Sequence, residues 1–159
     1  MRQLRELVAA PTSMSPRRDA SEILTSAGWH PDRKVDASPQ VESLQRDGYA
    51  VWMGLIRFLE QFSGLVLSFI RNGRPDTAWV DSARALQLAD EATVRDYEAR
   101  LKVALAPIGY ANHDHLLLLM SEDGRFFGGY DDFLTELGGT PIEMVDAIID
   151  GNPPALSDE

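Results

Sequence analysis

The chain has 159 residues, of which 44% are hydrophobic and 25% are charged, and these proportions are typical of one soluble globular domain. It contains no cysteine, which excludes disulfides, thiolate metal sites and a cysteine nucleophile. The first residues lack the apolar core of a signal peptide, and no run approaches the roughly 20 apolar residues that a membrane span needs. We therefore expect a cytoplasmic protein with no membrane partner.

The charge is concentrated in the last third of the chain. The formal net charge is −10 at pH 7. Residues 1–112 carry 14 acidic and 14 basic side chains, whereas residues 113–159 carry 11 acidic side chains and one basic side chain, Arg125. This segregation argues against nucleic-acid binding by that region and favours a basic partner, the alternative being an acidic surface that serves solubility alone.

Helices dominate the first part of the chain. Residues 1–18 have no sustained hydrophobic period and contain the stretch APTSMSPRR, so we predict a flexible N-terminal arm. A capping box formed by Asp19 and Glu22 then starts a short helix, which we expect to end at Gly28.

Two further helices are predicted before the first strand. In SPQVESLQRDG, Ser38 is the expected N-cap, Pro39 occupies the first helical position and Gly48 is the stop. The next segment, AVWMGLIRFLEQFSG, has apolar side chains at helical spacing, which predict one buried stripe: Trp52, Leu55, Ile56, Leu59 and Phe62.

Strands joined by hairpins follow, with one helix between them. LVLSFI and TAWV flank the turn RNGRPD, whose Asn72-Gly73 pair favours a hairpin. A helix capped by Asp90 is predicted over DEATVRDYEARLKVALA, and PIGYA is a short strand. DHLLLLM and FFGGY then flank a turn at Asp123-Gly124. Hairpins produce antiparallel pairs, so the predicted fold class is α+β, a mainly antiparallel sheet of four to six strands flanked by helices.

The closing helix is specified at both ends of GTPIEMVDAIIDG. Thr140 is the expected N-cap, Glu143 completes a capping box and Gly151 is the stop. The domain is therefore predicted over residues 19–151, and residues 152–159 are predicted to form a frayed acidic tail. Four apolar side chains are expected to face inward: Ile142, Val145, Ile148 and Ile149.

The candidates for chemistry are few. His113 and His115 of NHDH would share one face of a strand, but the sequence offers no third metal ligand. We interpret them as a polar strand entrance, and a metal-dependent hydrolase remains one hypothesis. No nucleophile elbow or phosphate-binding loop occurs, and the adjacent carboxylates of Asp131 and Asp132 are typical of a solvated loop. We predict no catalytic residue, no metal and no cofactor.

Five segments between about Ala20 and Gly151 carry a resemblance to a known family. They are LTSAGWHPDRKVD, LQRDGYAVWMGLIRFLEQFSGL, WVDSARAL, LAPIGYANHDHLLLLMSEDGRFFGGY and LGGTPIEMVDAIIDG. In sequence and spacing they resemble the third family of the SUKH superfamily, which are bacterial immunity proteins of polymorphic toxin systems. The resemblance implies an α+β fold, no catalysis, and binding to a cognate protein toxin domain.

The stretch SAGWHPDR is interpreted as a corner of this fold and not as the lip of a site. Gly28 is expected to supply a left-handed stop, and Pro31 to fix the turn that follows. We expect Trp29 to pack the first helix onto the sheet and Arg33 to pair locally.

The toxin-binding residues are predicted from charge and not from the resemblance. Toxins that act on nucleic acid must attract a polyanion, so a fixed acidic surface would steer their association and mimic their substrate. A regulatory protein-binding scaffold without a toxin partner is the alternative function. The candidate residues are Asp131, Asp132, Glu136, Glu143, Asp146 and Asp150.

Overall fold

The computed structural model describes residues 19–151 and 155–156, and the predicted N-terminal arm lies outside them. The helices in this range are α1 (Ala20–Ala27), α2 (Ser38–Arg46), α3 (Met53–Phe62), α4 (Ser82–Leu88), α5 (Glu91–Leu101) and α6 (Pro141–Asp150). The strands are β1 (Val66–Arg71), β2 (Arg74–Val80), β3 (Leu105–Ala111), β4 (Leu116–Ser121), β5 (Phe126–Tyr130) and β6 (Phe133–Gly138).

The strands form one antiparallel sheet in the order β1-β2-β3-β4-β5-β6. The predicted hairpin at Asn72-Gly73 is confirmed, because Arg71 pairs with Arg74 and both turn residues have the positive φ of a type I′ turn, 54° and 76°. Every residue of β3 and β4 is buried, so this central hairpin is covered on both faces. The predicted α+β class is confirmed.

The closing helix spans the sheet from one edge to the other. The start of α6 lies beside Gly138 at the end of β6, and its C-terminal Gly151 lies beside Arg71 at the end of β1. A helix of this length is about 15 Å long, whereas five strand spacings of a flat sheet span about 24 Å. The sheet therefore curves around α6, whose inward side chains are Met144, Val145, Ile148 and Ile149.

The helix ends predicted for α1 and α6 are confirmed. The carboxylate of Asp19 accepts a hydrogen bond from the amide of Glu22 at 2.8 Å, and the Glu22 carboxylate accepts from the amide of Asp19 at 3.2 Å. Gly28 ends α1 in the left-handed region at φ 111°. The hydroxyl of Thr140 accepts from the third residue of α6, and Gly151 ends that helix with φ 77°.

Two predicted positions in α2 and α3 are corrected. Ala37, and not Ser38, is the N-cap of α2, so Ser38 is the first and Pro39 the second residue of that helix. Ala37 has no side chain that can cap, and the carboxylate of Asp36 accepts a hydrogen bond from the amide of Ser38 at 2.9 Å. Trp52 does not belong to the buried stripe of α3. It is the N-cap of that helix, with extended backbone, and its side chain is half-buried.

Other differences lie in the second half. Ile142 is 37% exposed, because the buried stripe of α6 begins at Met144. The helix predicted from Asp90 ends at Leu101, since the chain then turns into β3. Neither α4 nor β6 was predicted: α4 is short with small buried side chains, and β6 breaks the strict alternation of buried and exposed residues.

A β-bulge in β3 generates a stability prediction. The register with β4 shifts between Pro107 and Gly109, and a Cβ on Gly109 would overlap the carbonyl oxygen of Trp79. We expect Gly109→Ala to lower the free energy of unfolding by about 3 kcal/mol, because backbone cannot move aside. Gly124→Ala is the control, because its Cβ would have no described atom within 4 Å. The cost expected there is that of an alanine in the left-handed region, at φ 89°, which is about 1 kcal/mol. Urea unfolding measures both losses, and equal values would contradict the steric argument.

Candidate functional site

The six acidic residues predicted from charge lie on β6, the turn before it and α6, and the last of them, Asp150, is at the end of α6 that lies beside β1. Asp131 and Asp132 form the turn before β6, Glu136 is on β6, and α6, which packs against β6, carries the other three. Because Asp131 and Asp132 precede β6 whereas Glu143 follows it, the acidic positions run along the whole strand. The exposed members are Asp131, Asp132, Glu136, Glu143 and Asp150, and Asp146 is half-buried.

The carboxylates of Glu136 and Glu143 make contacts within the fold. The Glu136 carboxylate is 3.4 Å from the guanidinium of Arg125, and the Glu143 carboxylate accepts a hydrogen bond from the amide of Gly139 at 2.7 Å. In the predicted capping box the Glu143 carboxylate would accept from the amide of Thr140, but it accepts instead from the amide of the preceding residue, Gly139. Within the described residues, the carboxylates of Asp131 and Asp132 have no ion-pair partner. The guanidinium of Arg100 nevertheless lies at this turn, where it donates to the carbonyl oxygen of Asp132 at 3.1 Å.

A cleft of about 680 Å³ opens beside Asp131, where the β3–β4 and β5–β6 turns meet. Its rings come from Tyr97, Tyr110 and Tyr130, and Tyr130 is 51% exposed. Rings beside carboxylates suit a cationic side chain, because a ring face attracts positive charge. The charged or titratable lining residues are Arg71, Asp90, His113, Asp114, His115 and Asp131.

The β3–β4 turn replaces the strand entrance predicted for NHDH. Asn112, His113 and Asp114 all have left-handed backbone, with φ of 56°, 55° and 65°. The prediction that His113 and His115 share a strand face is therefore wrong. Left-handed residues cost about 1 kcal/mol or more each, and Asn and Asp tolerate the conformation best. The Asn and Asp of this short segment between two apolar strands were the signal for a turn.

Side chains from the β1–β2 hairpin support that turn. The carboxylate of Asp76, 4% exposed, accepts a hydrogen bond from Nε of Arg71 at 2.9 Å and lies 3.6 Å from Nε2 of His113. The indole N–H of Trp79 donates to the carboxylate of Asp114 at 2.7 Å. These contacts hold a strained loop in one arrangement at the mouth of the cleft.

Tyr97 holds the neighbouring β5–β6 turn. Its hydroxyl donates to the carbonyl oxygen of Asp131 at 2.7 Å, and its ring lies where a side chain on Gly129 would otherwise project. Burial raises the pKa of Tyr97 to about 12, so the hydroxyl remains a neutral donor at physiological pH.

The corner at SAGWHPDR contacts α3, and one expectation about it is corrected. The ring of Trp29 stacks on Phe62 of α3 with centroids 5.9 Å apart, and Trp29 packs against the hydrophobic core. Its indole N–H also lies 3.4 Å from the side-chain oxygen of Gln61.

Arg33 does not form the expected local pair. Its guanidinium donates to the carbonyl oxygens of Gln61 at 2.5 Å and Ser63 at 2.8 Å, at the C-terminal end of α3. The side-chain amide of Gln61 donates in return to the carbonyl oxygen of Pro31 at 3.0 Å. A positive charge at a helix C-terminus is favourable, so the corner caps a distant helix.

Two further classes of site concern these surfaces, metal centres and membrane-spanning helices. In the part of the chain that the structure describes, no group of three or more His, Asp and Glu side chains could hold a metal ion. None of the helices described is long and apolar enough to cross a membrane. What the arrangement offers a partner is carboxylates, tyrosine rings and turns of fixed shape.

Comparison with known proteins assigns this α+β domain to a class. A family model described as SUKH-3 immunity protein matches residues 16–151, which is nearly the whole chain. The domain is thus an immunity-protein domain. The chain belongs to the SUKH-3 immunity protein family, and the resemblance noted from its motifs is confirmed. No curated protein and no solved structure matches it.

Removal of the Arg33 side chain tests the helix cap. We expect Arg33→Leu to lower the free energy of unfolding by about 2 kcal/mol, because two carbonyl groups lose a charged donor. Arg57 is an exposed residue of α3, the helix that Arg33 caps, and Arg57→Leu is the control. It should change the free energy of unfolding by less than about 0.5 kcal/mol. Urea unfolding near neutral pH compares the two variants, and a similar loss in both would contradict the capping role.

The buried tyrosines predict an alkaline loss of stability. Folding raises the pKa of Tyr49 and Tyr97 from 10.0 to about 12. The stability that each contributes is therefore fully present below pH 10 and is lost as the pH rises through 12. Tyr97→Phe should make this fall shallower, and at neutral pH it should cost about 1 kcal/mol for the lost hydrogen bond to Asp131. Urea unfolding at a series of alkaline pH values measures how steeply the free energy of unfolding falls as the pH rises. A fall in Tyr97→Phe as steep as that of the wild type would contradict the contribution of Tyr97.

Proposed function

We propose that this protein neutralises a cognate toxin domain by binding it in the cytoplasm, and that it catalyses no reaction. The match of the SUKH-3 family over residues 16–151 is the observation that carries the proposal. The net charge of −10, all of it contributed by residues 113–159, supports a basic partner. A toxin that attacks nucleic acid is such a partner, because its active surface must attract phosphates.

The proposed binding surface follows β6 and α6 and includes the cleft beside Asp131. Carboxylates along this edge steer a positive toxin surface toward it and raise the association rate. In the cleft, a lysine or arginine of the toxin would meet the Asp131 carboxylate and the ring of Tyr130. The bound domain would then occlude the surface with which the toxin holds its substrate.

A second groove supports the choice of this edge. It has a volume of about 600 Å³ and lies against α3 on the side of the SAGWHPDR corner. Its charged lining residues are three basic and two acidic side chains, Arg33, Lys34, Arg57, Asp32 and Glu60. The cleft has three acidic side chains, Asp90, Asp114 and Asp131, and one basic side chain, Arg71, and a basic partner favours the more acidic lining. The cleft at Asp131 therefore fits a basic toxin better than this groove does.

Capture from the native lysate, with the protein as bait, tests the function. We expect a one-to-one partner with a basic domain that stops growth when it is expressed alone and is harmless when both proteins are co-expressed. A partner that is harmless alone would favour the regulatory scaffold and contradict the immunity function.

Charge reversal tests the binding surface. Asp132→Lys with Asp146→Lys should slow association with the captured toxin by about tenfold in low salt, because steering is lost. Glu143 is left unchanged because it caps the start of α6. The matched control is Glu42→Lys with Asp47→Lys at α2, which packs on α4 and lies away from α6. Stopped-flow fluorescence measures the rates, and equal slowing by both pairs would show that only the net charge matters.

A further inference from the structure

The strand β1 has an open edge. It is the first strand in the sheet order and pairs only with β2 among the residues that the structure describes. The other edge strand, β6, has a partner at one point, since the amide of Leu156 donates to the carbonyl oxygen of Leu134 at 2.7 Å. In the described part of the chain, the outer backbone groups of β1 are therefore unpaired, whereas those of β6 are partly paired.

The register of the β1–β2 hairpin shows which backbone groups point outward. The amide of Val80 donates to the carbonyl oxygen of Leu65 at 3.0 Å, and Arg71 pairs with Arg74 across a two-residue turn. Hydrogen-bonded pairs alternate along an antiparallel ladder, so the odd-numbered residues of β1 bond to β2. The amides and carbonyls of Val66, Ser68 and Ile70 then point away from the sheet.

The side chains of the same three residues are exposed. Val66 is 54% exposed and Ile70 is 56% exposed, while Leu67 and Phe69 point into the core. The strand carries no acidic residue, although the chain has a net charge of −10. It also lacks the lysine, proline or bulge that usually protects an edge strand from pairing.

We propose that β1 pairs with β1 of a second copy of this chain, antiparallel and centred on Ser68. In this register Val66 lies opposite Ile70 of the other copy, Ser68 lies opposite its own equivalent, and Ile70 lies opposite Val66. All three pairs use outward-pointing backbone groups, so the interface gains about six hydrogen bonds together with two contacts between β-branched side chains.

This pairing is self-complementary, as a two-fold interface must be. A register shifted by two residues pairs Ser68 with either Val66 or Ile70 of the other copy and leaves the other of these two apolar side chains without a partner on β1 in each copy. The absence of carboxylates on β1 allows two chains of the same negative charge to approach at this edge. The dimer continues the sheet through β1 and leaves Glu136 of β6 and the preceding Asp131 and Asp132, at the other edge of the sheet order, accessible in both copies.

A cysteine crosslink tests the register, and the natural absence of cysteine makes the result unambiguous. Ser68→Cys places two thiols at the two-fold axis, within the range of a disulfide. Thr77→Cys is the matched control, because Thr77 is exposed, pairs with Ser68 and lies one strand farther from the axis. Oxidised glutathione serves as the oxidant and is reduced as the two thiols join. We expect a covalent dimer from Ser68→Cys and at least tenfold less from Thr77→Cys.

Sedimentation velocity of the wild type gives an independent measurement. We expect a mass that doubles with rising concentration, and Ile70→Lys should keep the protein monomeric while its far-ultraviolet circular dichroism stays unchanged. Equal crosslinking of the two cysteine variants, or a wild type that remains monomeric, would overturn the proposal. A monomeric Ser68→Cys variant whose introduced thiol is protected from alkylation would place another part of the same chain on this edge, which also overturns it. Neither measurement depends on a toxin.

Discussion

Burial of the β3–β4 hairpin on both faces is the constraint on which the rest of this structure depends. Every side chain of β3 and β4 is buried, so other elements of the fold must cover both faces of these strands. The helices are short and are held by specific contacts. Arg33 donates to the carbonyls at the end of α3, and α6 crosses the sheet from β6 to β1. The sheet curves because that helix is shorter than the flat sheet is wide.

The turns at one end of the sheet lie outside the core and form the cleft that the proposed binding surface includes. The turns β3–β4 and β5–β6 meet at one end of the sheet and enclose the cleft beside Asp131. Their left-handed residues would be costly in isolation, and contacts from Asp76, Trp79 and Tyr97 hold them in place. A loop held in this way loses little conformational entropy when it binds a partner, which favours tight association.

The charge of the molecule follows from the same layout. The last part of the chain forms the sheet edge at β6 and the helix α6, so its acidic residues are concentrated on these elements and the turn between β5 and β6. Glu136 and Glu143 are partly used by the fold, through Arg125 and the amide of Gly139. In the described residues the carboxylates of Asp131 and Asp132, in the β5–β6 turn, have no ion-pair partner, which is why the proposed binding surface includes them.

Local patterns in the sequence were sufficient for the helix ends at Asp19, Gly28, Thr140 and Gly151, for the Asn72-Gly73 hairpin, and for the α+β class, because each depends on neighbouring residues. The same patterns failed for β6 and α4, whose burial is decided by elements distant in sequence. Of the site, the sequence showed which carboxylates exist but not the cleft beside them. Tyr97 and Asp131 are about thirty residues apart in the sequence, and so are Arg33 and Gln61. Only the packing of the sheet against its helices brings such groups within hydrogen-bond distance.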